Sequence, residues 1–197
     1  MSQTLDGKRI AFLATDGVES VELTEPWVAM EKAGAVPTLV SLESGSIQGF
    51  DHLEPGETFE VGQTAADAAS DDFDALVLPG GVANPDRLRT DASAVDFVRA
   101  VVEDGLPVGV ICHGPWTLVS AGAVSGRRLT SWPSLKIDLL NAGADWVDEP
   151  VVIDNSGPNV IVSSRKPDDL PAFCEAIVEQ FERPEKANPS VSGRTSR

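Results

Sequence analysis

Short apolar runs alternate with stretches of helical spacing along most of this chain. KRIAFLA (8–14) is an apolar run closed by Asp16-Gly17, which predicts a strand and a turn. From Val21 to Ala33 the apolar positions Val21, Pro26, Val28, Met30 and Ala33 recur at helical spacing, and Gly34 stands where a C-cap would. VPTLVSL (36–42) reads as the next strand. Residues 43–72 are polar and glycine-rich and predict a hairpin excursion, with short strands around Ile47 and Phe59. DALVLPGG (74–81) is a buried-type strand ending in a glycine pair. Residues 91–105 predict a helix with Ala94, Phe97, Val98, Val101 and Val102 as its stripe and Gly105 at its end. LPVGVI (106–111) is a strand and PWTLVSAG (115–122) a short helix. SWPSLKIDLLNAG (131–143) holds a helix capped by Ser134. WVDEPVVID and NVIVSS are late strands, and a final helix runs over 170–181.

Strands that are apolar throughout, alternating with amphipathic helices, argue for an α/β fold with a mostly parallel sheet covered on both faces. At 197 residues the chain is most simply one domain. That domain is expected over 1–182; residues 183–197 have no apolar stripe and predict a disordered tail.

Charge changes the picture of partners. Fifteen basic against 31 acidic residues give a net charge of −16. Such a surface repels phosphate backbones and anionic lipid, so neither nucleic acid nor membrane is an expected partner. The N-terminus lacks the features of a secretory signal, and no run approaches the length of a membrane span. Two cysteines without a CxxC spacing suggest no disulfide framework, so a reduced, cytoplasmic protein is expected. Two histidines, two cysteines and no metal-type spacing argue against zinc. No GxGxxG or GxxxxGK occurs, so nucleotide binding lacks its motif and no cofactor is implied.

The two cysteines differ. Cys174 lies in the stripe Leu170, Phe173, Cys174, Ile177, Val178, Phe181, the pattern of a buried helical face, and reads as a core residue. Cys112, in VGVICHGPW, falls between a buried strand and a helix start. A parallel α/β sheet opens its ligand crevice there, and the helix's unpaired N–H groups favour a thiolate. Two readings stand: an inert core cysteine, or a nucleophile on a sharp strand-to-helix turn. His113 beside it is a natural activator, but adjacent side chains face each other only if that turn is sharp. Otherwise His113 points to solvent or to another subunit. His52 reads as a solvated loop residue.

The glycine pair 80–81 is either a plain turn or a place where backbone N–H groups meet a ligand; the Gly81 and His113 amides would then form an oxyanion hole. Glu19 follows the first strand on the same sheet edge. A carboxyl facing Cys112 helps only when protonated, donating to the thiolate, and the two then titrate together. The plainer reading of Glu19 is a loop or N-cap residue. Glu22 and Glu25, inside the helix, read as solvated charges.

Taken together, VESVEL, LVLPGG, ICHGP and TSWPSLKIDLLNAGADWVDEPVV resemble the PfpI family of intracellular cysteine hydrolases. That family includes relatives of the Parkinson-disease protein deglycase and lies within the class I glutamine amidotransferase-like superfamily. The resemblance covers about residues 8–182. It implies a flavodoxin-like three-layer sandwich with Cys112 on a nucleophile elbow. It implies Glu19 as the protonated partner of the thiol, and an oxyanion and substrate-binding set drawn from Gly80, Gly81 and Gly114, with the Gly81 and His113 amides as donors. In the protease-like branch an acidic residue of a neighbouring subunit completes the histidine. The matching residue here is Asp86, where the family more often has a glutamate, and a homo-oligomer with its site near the interface is then expected. No histidine follows His113, so the amidotransferase triad is absent. Three functions follow as expectations: a deglycase or glyoxalase-like enzyme acting on dicarbonyls or their adducts, a peptidase using Cys112, His113 and Asp86, or a stress protein with an oxidisable Cys112.

Overall fold

The structure, a computed structural model, describes residues 4–182; the expected tail at 183–197 lies outside the described residues. In chain order, β1 (Arg9–Leu13) leads through the two-residue β2 (Val18–Glu19) into α1 (Ser20–Lys32) and β3 (Val36–Ser41). A hairpin of β4 (Ser46–Asp51) and β5 (Glu54–Glu60) follows, then β6 (Gln63–Thr64), β7 (Ala75–Leu78), α2 (Ala83–Leu88), α3 (Ala92–Glu103) and β8 (Val108–Ile111). The chain closes with α4 (Pro115–Ser120), β9 (Arg128–Leu129), α5 (Lys136–Asn141), β10 (Asp145–Trp146), β11 (Val151–Asp154), β12 (Ile161–Ser164) and α6 (Leu170–Glu182).

Seven strands form the central sheet in the order β11-β12-β8-β7-β1-β3-β6, parallel except for β11 against β12. Alternation along β1 sends Ala11 and Leu13 to one face and Ile10 and Phe12 to the other. The first face packs on Phe97, Val98 and Val101 of α3, Leu118 of α4 and Leu139 of α5. The second packs on Leu23 and Met30 of α1 and Phe173, Ile177 and Phe181 of α6. These are the three layers of a flavodoxin-like sandwich. β1 passes to β3 on one side and β7 to β8 on the other, so the chain reverses direction between β1 and β7. The C-terminal ends of these strands open a crevice at that point.

Three readings of the pattern are corrected. The buried face of α1 is Ser20, Glu22, Leu23, Pro26 and Met30, and Val28 is exposed. The repeat that faces the sheet is 22–26–30, and position 28 falls on the opposite side. Ser134 does not cap α5; it sits in a 3-10 turn, Pro133–Leu135, ahead of it. Cys174 is half-buried at the edge of the α6 stripe rather than inside it.

Candidate active site

β8 ends at Ile111 and the next residue, Cys112, has a φ of 62°. A non-glycine residue in the left-handed region is strained, and the turn that imposes it is the sharp one the strand-to-helix junction requires. Both backbone groups of Cys112 are pinned: its N–H donates to Ser164 O at 3.1 Å and its carbonyl accepts from Trp132 N at 2.9 Å. The turn swings His113 back onto its neighbour, with Nδ1 3.2 Å from Cys112 Sγ. The ring is held elsewhere by Trp132, stacked at a centroid distance of 5.8 Å, by the edge of Trp116 at 5.3 Å, and by Ser134 Oγ, 3.4 Å from Nε2. Burial pushes the imidazole down to about 4, so it is neutral at physiological pH.

The carboxyl that meets the sulfur is Glu22, not Glu19. Glu22 is fully buried and hydrogen-bonds with Cys112, while its Oε2 accepts the Gly80 N–H at 2.9 Å. Its Oε1 is buried and no group around it meets hydrogen-bond geometry. Such an oxygen is tolerable when it carries a proton directed at the sulfur, and costly as half of a bare carboxylate. Burial accordingly pushes Glu22 up to about 8, against the opposing pull of its hydrogen bonds with Cys112 and Gly80.

For Cys112 the direction is also up. Burial is the main cause, followed by the charge of Glu22 when ionised; the Gly81 and His113 amides pull the other way. The acidifying helix end expected from the sequence is outweighed. α4 has only six residues, and no imidazolium stands nearby to offset burial. The two groups therefore titrate as a unit. Burial holds both in their neutral forms at neutral pH, and only a neutral Glu22 removes the repulsion that opposes a thiolate once the thiol gives up its proton.

Glu19 lies at the mouth of the crevice instead. Its carboxylate accepts from His52 N at 3.2 Å and meets His52 Nδ1 at 3.1 Å. His52 is thus solvated, as read, but not without a partner.

Two of the three candidate glycines cannot donate to a ligand. The Gly80 amide is committed to Glu22, and the Gly114 amide donates to Ile111 O at 2.9 Å. These positions need glycine for space: a Cβ on Gly114 would stand 2.6 Å from Leu78 O. The Gly81 and His113 amides are the ones that reach the sulfur. Gly81, at φ 77°, also presses on the loop after β1, where a Cβ would fall 2.3 Å from Gly17 O. Asp86 is exposed on α2 and does not line the crevice. The side chains against the His113 ring are Cys112, Trp116, Trp132 and Ser134.

Cys112, His113 and Glu22 line a cavity of about 660 Å³ that opens between the β4–β5 hairpin and α2. Sequence reasoning missed Glu22, Trp132, Ser134 and Asn84. The signal for Glu22 was present, since it precedes Pro26 and Met30 at successive steps of four. Asn84 is fully buried; it accepts from Thr15 N at 2.8 Å and donates to Pro79 O and Gly80 O, tying the loops after β1 and β7 together.

Residues 8–180 match the DJ-1/PfpI family. Deglycase PfpI of Pyrococcus furiosus is 40% identical over 171 residues, covering 87% of this chain and 98% of that protein. Protein/nucleic acid deglycase 2 of Escherichia coli is 41% identical over 166 residues, covering 84% and 93%. Among solved structures, Drosophila melanogaster DJ-1beta superposes with a TM-score of 0.78 at 27% identity, covering 89% of this chain and 91% of that one.

Proposed function

Because the chain belongs to the DJ-1/PfpI family, we propose that it is a cysteine-dependent enzyme removing dicarbonyl adducts from amines, and hydrating the free dicarbonyl, in the cytoplasm. The observation that supports this most is the Cys112 sulfur at the floor of an open cavity, between a buried Glu22 and a neutral His113.

In this reading the thiolate adds to the aldehyde-level carbon of methylglyoxal, or displaces the amine at that carbon of an aminocarbinol adduct, and a thiohemiacetal forms. His113 Nδ1, 3.2 Å from the sulfur, takes the thiol proton as the thiolate forms, and that proton, or the one on Glu22, passes to the departing amine or to the new alkoxide. A proton then moves from the sulfur-bearing carbon to the neighbouring carbonyl carbon through an enediolate, which gives a 2-hydroxy thioester. Water hydrolyses the thioester to lactate and the free thiol. The carbon oxidised and the carbon reduced belong to the same substrate, so no outside oxidant is needed. In this reading the Gly81 and His113 amides, which reach the sulfur, receive the developing oxyanion. Glu22 and His113 carry protons between adjacent atoms within the water-poor floor.

The peptidase reading needs a carboxylate on His113. It therefore depends on Asp86 arriving from a second copy of the chain. The deglycase reading uses only groups already assembled in one protomer, which is why it is preferred. Lactate release from the methylglyoxal adduct of an amino acid tests it. Release by the wild type and none by Cys112→Ser supports the reading; equal release by both removes it.

A further inference from the structure

Glu19 and His52, which the chemistry of Cys112 does not use, face each other at the mouth of the cavity. His52 occupies the tip of the β4–β5 hairpin with a φ of 61°. Its N–H spans both Glu19 oxygens, at 3.4 and 3.2 Å, and its Nδ1 lies 3.1 Å from Oε1. A strained turn that sets a backbone N–H and a ring nitrogen against one carboxylate fixes that carboxylate's position. The Glu19 side chain is only 13% exposed and His52 is 84% exposed, so the carboxylate is partly desolvated while its holder stands in water. A carboxylate has more acceptor sites than these contacts fill.

Across the mouth, Arg87 Nη1 is paired with Asp16 Oδ2 at 3.0 Å, and Asp16 Oδ1 accepts from Gln48 N. Among the described residues that line the cavity, the bases are Arg87, His52 and His113; the first two each already face a carboxylate, and burial holds the His113 imidazole neutral. A phosphate entering here finds no uncommitted cation and meets a chain of net charge −16. A cationic nitrogen finds Glu19. Phe50 and the exposed Leu53 line the same mouth and offer an apolar wall for the methylene stem of a long cationic side chain.

We infer that Glu19, oriented by His52, is a specificity residue that selects adducts borne on cationic nitrogen, the guanidinium of arginine above all, and disfavours adducts on phosphorylated nucleotides. This rests on the deglycase reading above and narrows its substrate class.

The experiment compares methylglyoxal adducts of Nα-acetylarginine and of guanosine 5′-monophosphate in wild type and Glu19→Gln. In the wild type kcat/KM favours the arginine adduct by about tenfold or more, mostly through KM, and Glu19→Gln brings the ratio close to one. A companion measurement needs no turnover: Nα-acetylarginine slows iodoacetamide alkylation of Cys112 in the wild type, guanosine 5′-monophosphate does not, and Glu19→Gln loses the protection. Equal turnover of both adducts, or protection that survives Glu19→Gln, overturns the inference. Selective protection without lactate release from either adduct sinks the deglycase reading while upholding the guanidinium site.

Discussion

The Gly80 amide donates to Glu22 Oε2 at 2.9 Å, joining the turn after β7 to the carboxyl that hydrogen-bonds with Cys112. The contact exists because position 80 has no side chain. A Cβ there would stand 2.5 Å from Glu22 Oε2, 2.7 Å from Cys112 Cβ and 2.9 Å from His113 N. Gly80→Ala is expected to displace both reacting groups, slowing alkylation of Cys112 and turnover by about a hundredfold. The stability loss from overpacking is about 1–3 kcal/mol, read by urea unfolding.

Glu22 also makes the fold pH-sensitive. Its carboxyl rises from 4.5 to about 8 on folding, so between those values the native state binds the proton that the unfolded state has released. Stability from this group is complete below pH 4.5 and is lost as pH rises through about 8. Relative to Glu22→Gln, the wild type is expected to lose on the order of a few kcal/mol between pH 5 and pH 8.5. Denaturant melts of both proteins at the two pH values check this.

Asn84 makes hydrogen bonds to Thr15 N, Pro79 O and Gly80 O from a fully buried position. Asn84→Ala strands three backbone groups, with an expected cost of about 3 kcal/mol. It also releases the Gly80–Gly81 turn that holds Glu22. Alkylation of Cys112, measured well below the unfolding transition, is therefore expected to slow along with the loss of stability.

Much of the fold was legible because apolar strands and striped helices announce themselves locally. Cys112 was legible for the same reason: a cysteine at the end of a buried strand, before Gly-Pro, has few places to be. Glu22 was not, because it is a charged residue on the inward face of α1, and a polar residue type argues for solvent. Its burial is fixed by Gly80 and Cys112, which are 58 and 90 positions away in sequence. Likewise nothing local says that the Gly80 and Gly114 amides are already committed, or that Trp132 and Ser134 fold over His113. These are contacts between separate loops at one sheet edge, and only the assembled sheet brings them together.

The account stands on a neutral Glu22 side chain donating to the Cys112 sulfur. The most direct test is the pH titration of thiolate absorbance near 240 nm, taken as the difference from Cys112→Ser, in wild type, Glu22→Gln and Glu22→Leu. Glutamine keeps a donor without a titrating charge, so its midpoint is expected to stay within about one pH unit of the wild type or to fall below it, whereas leucine raises the midpoint by more than about one unit. Identical midpoints for Glu22→Gln and Glu22→Leu would contradict the account.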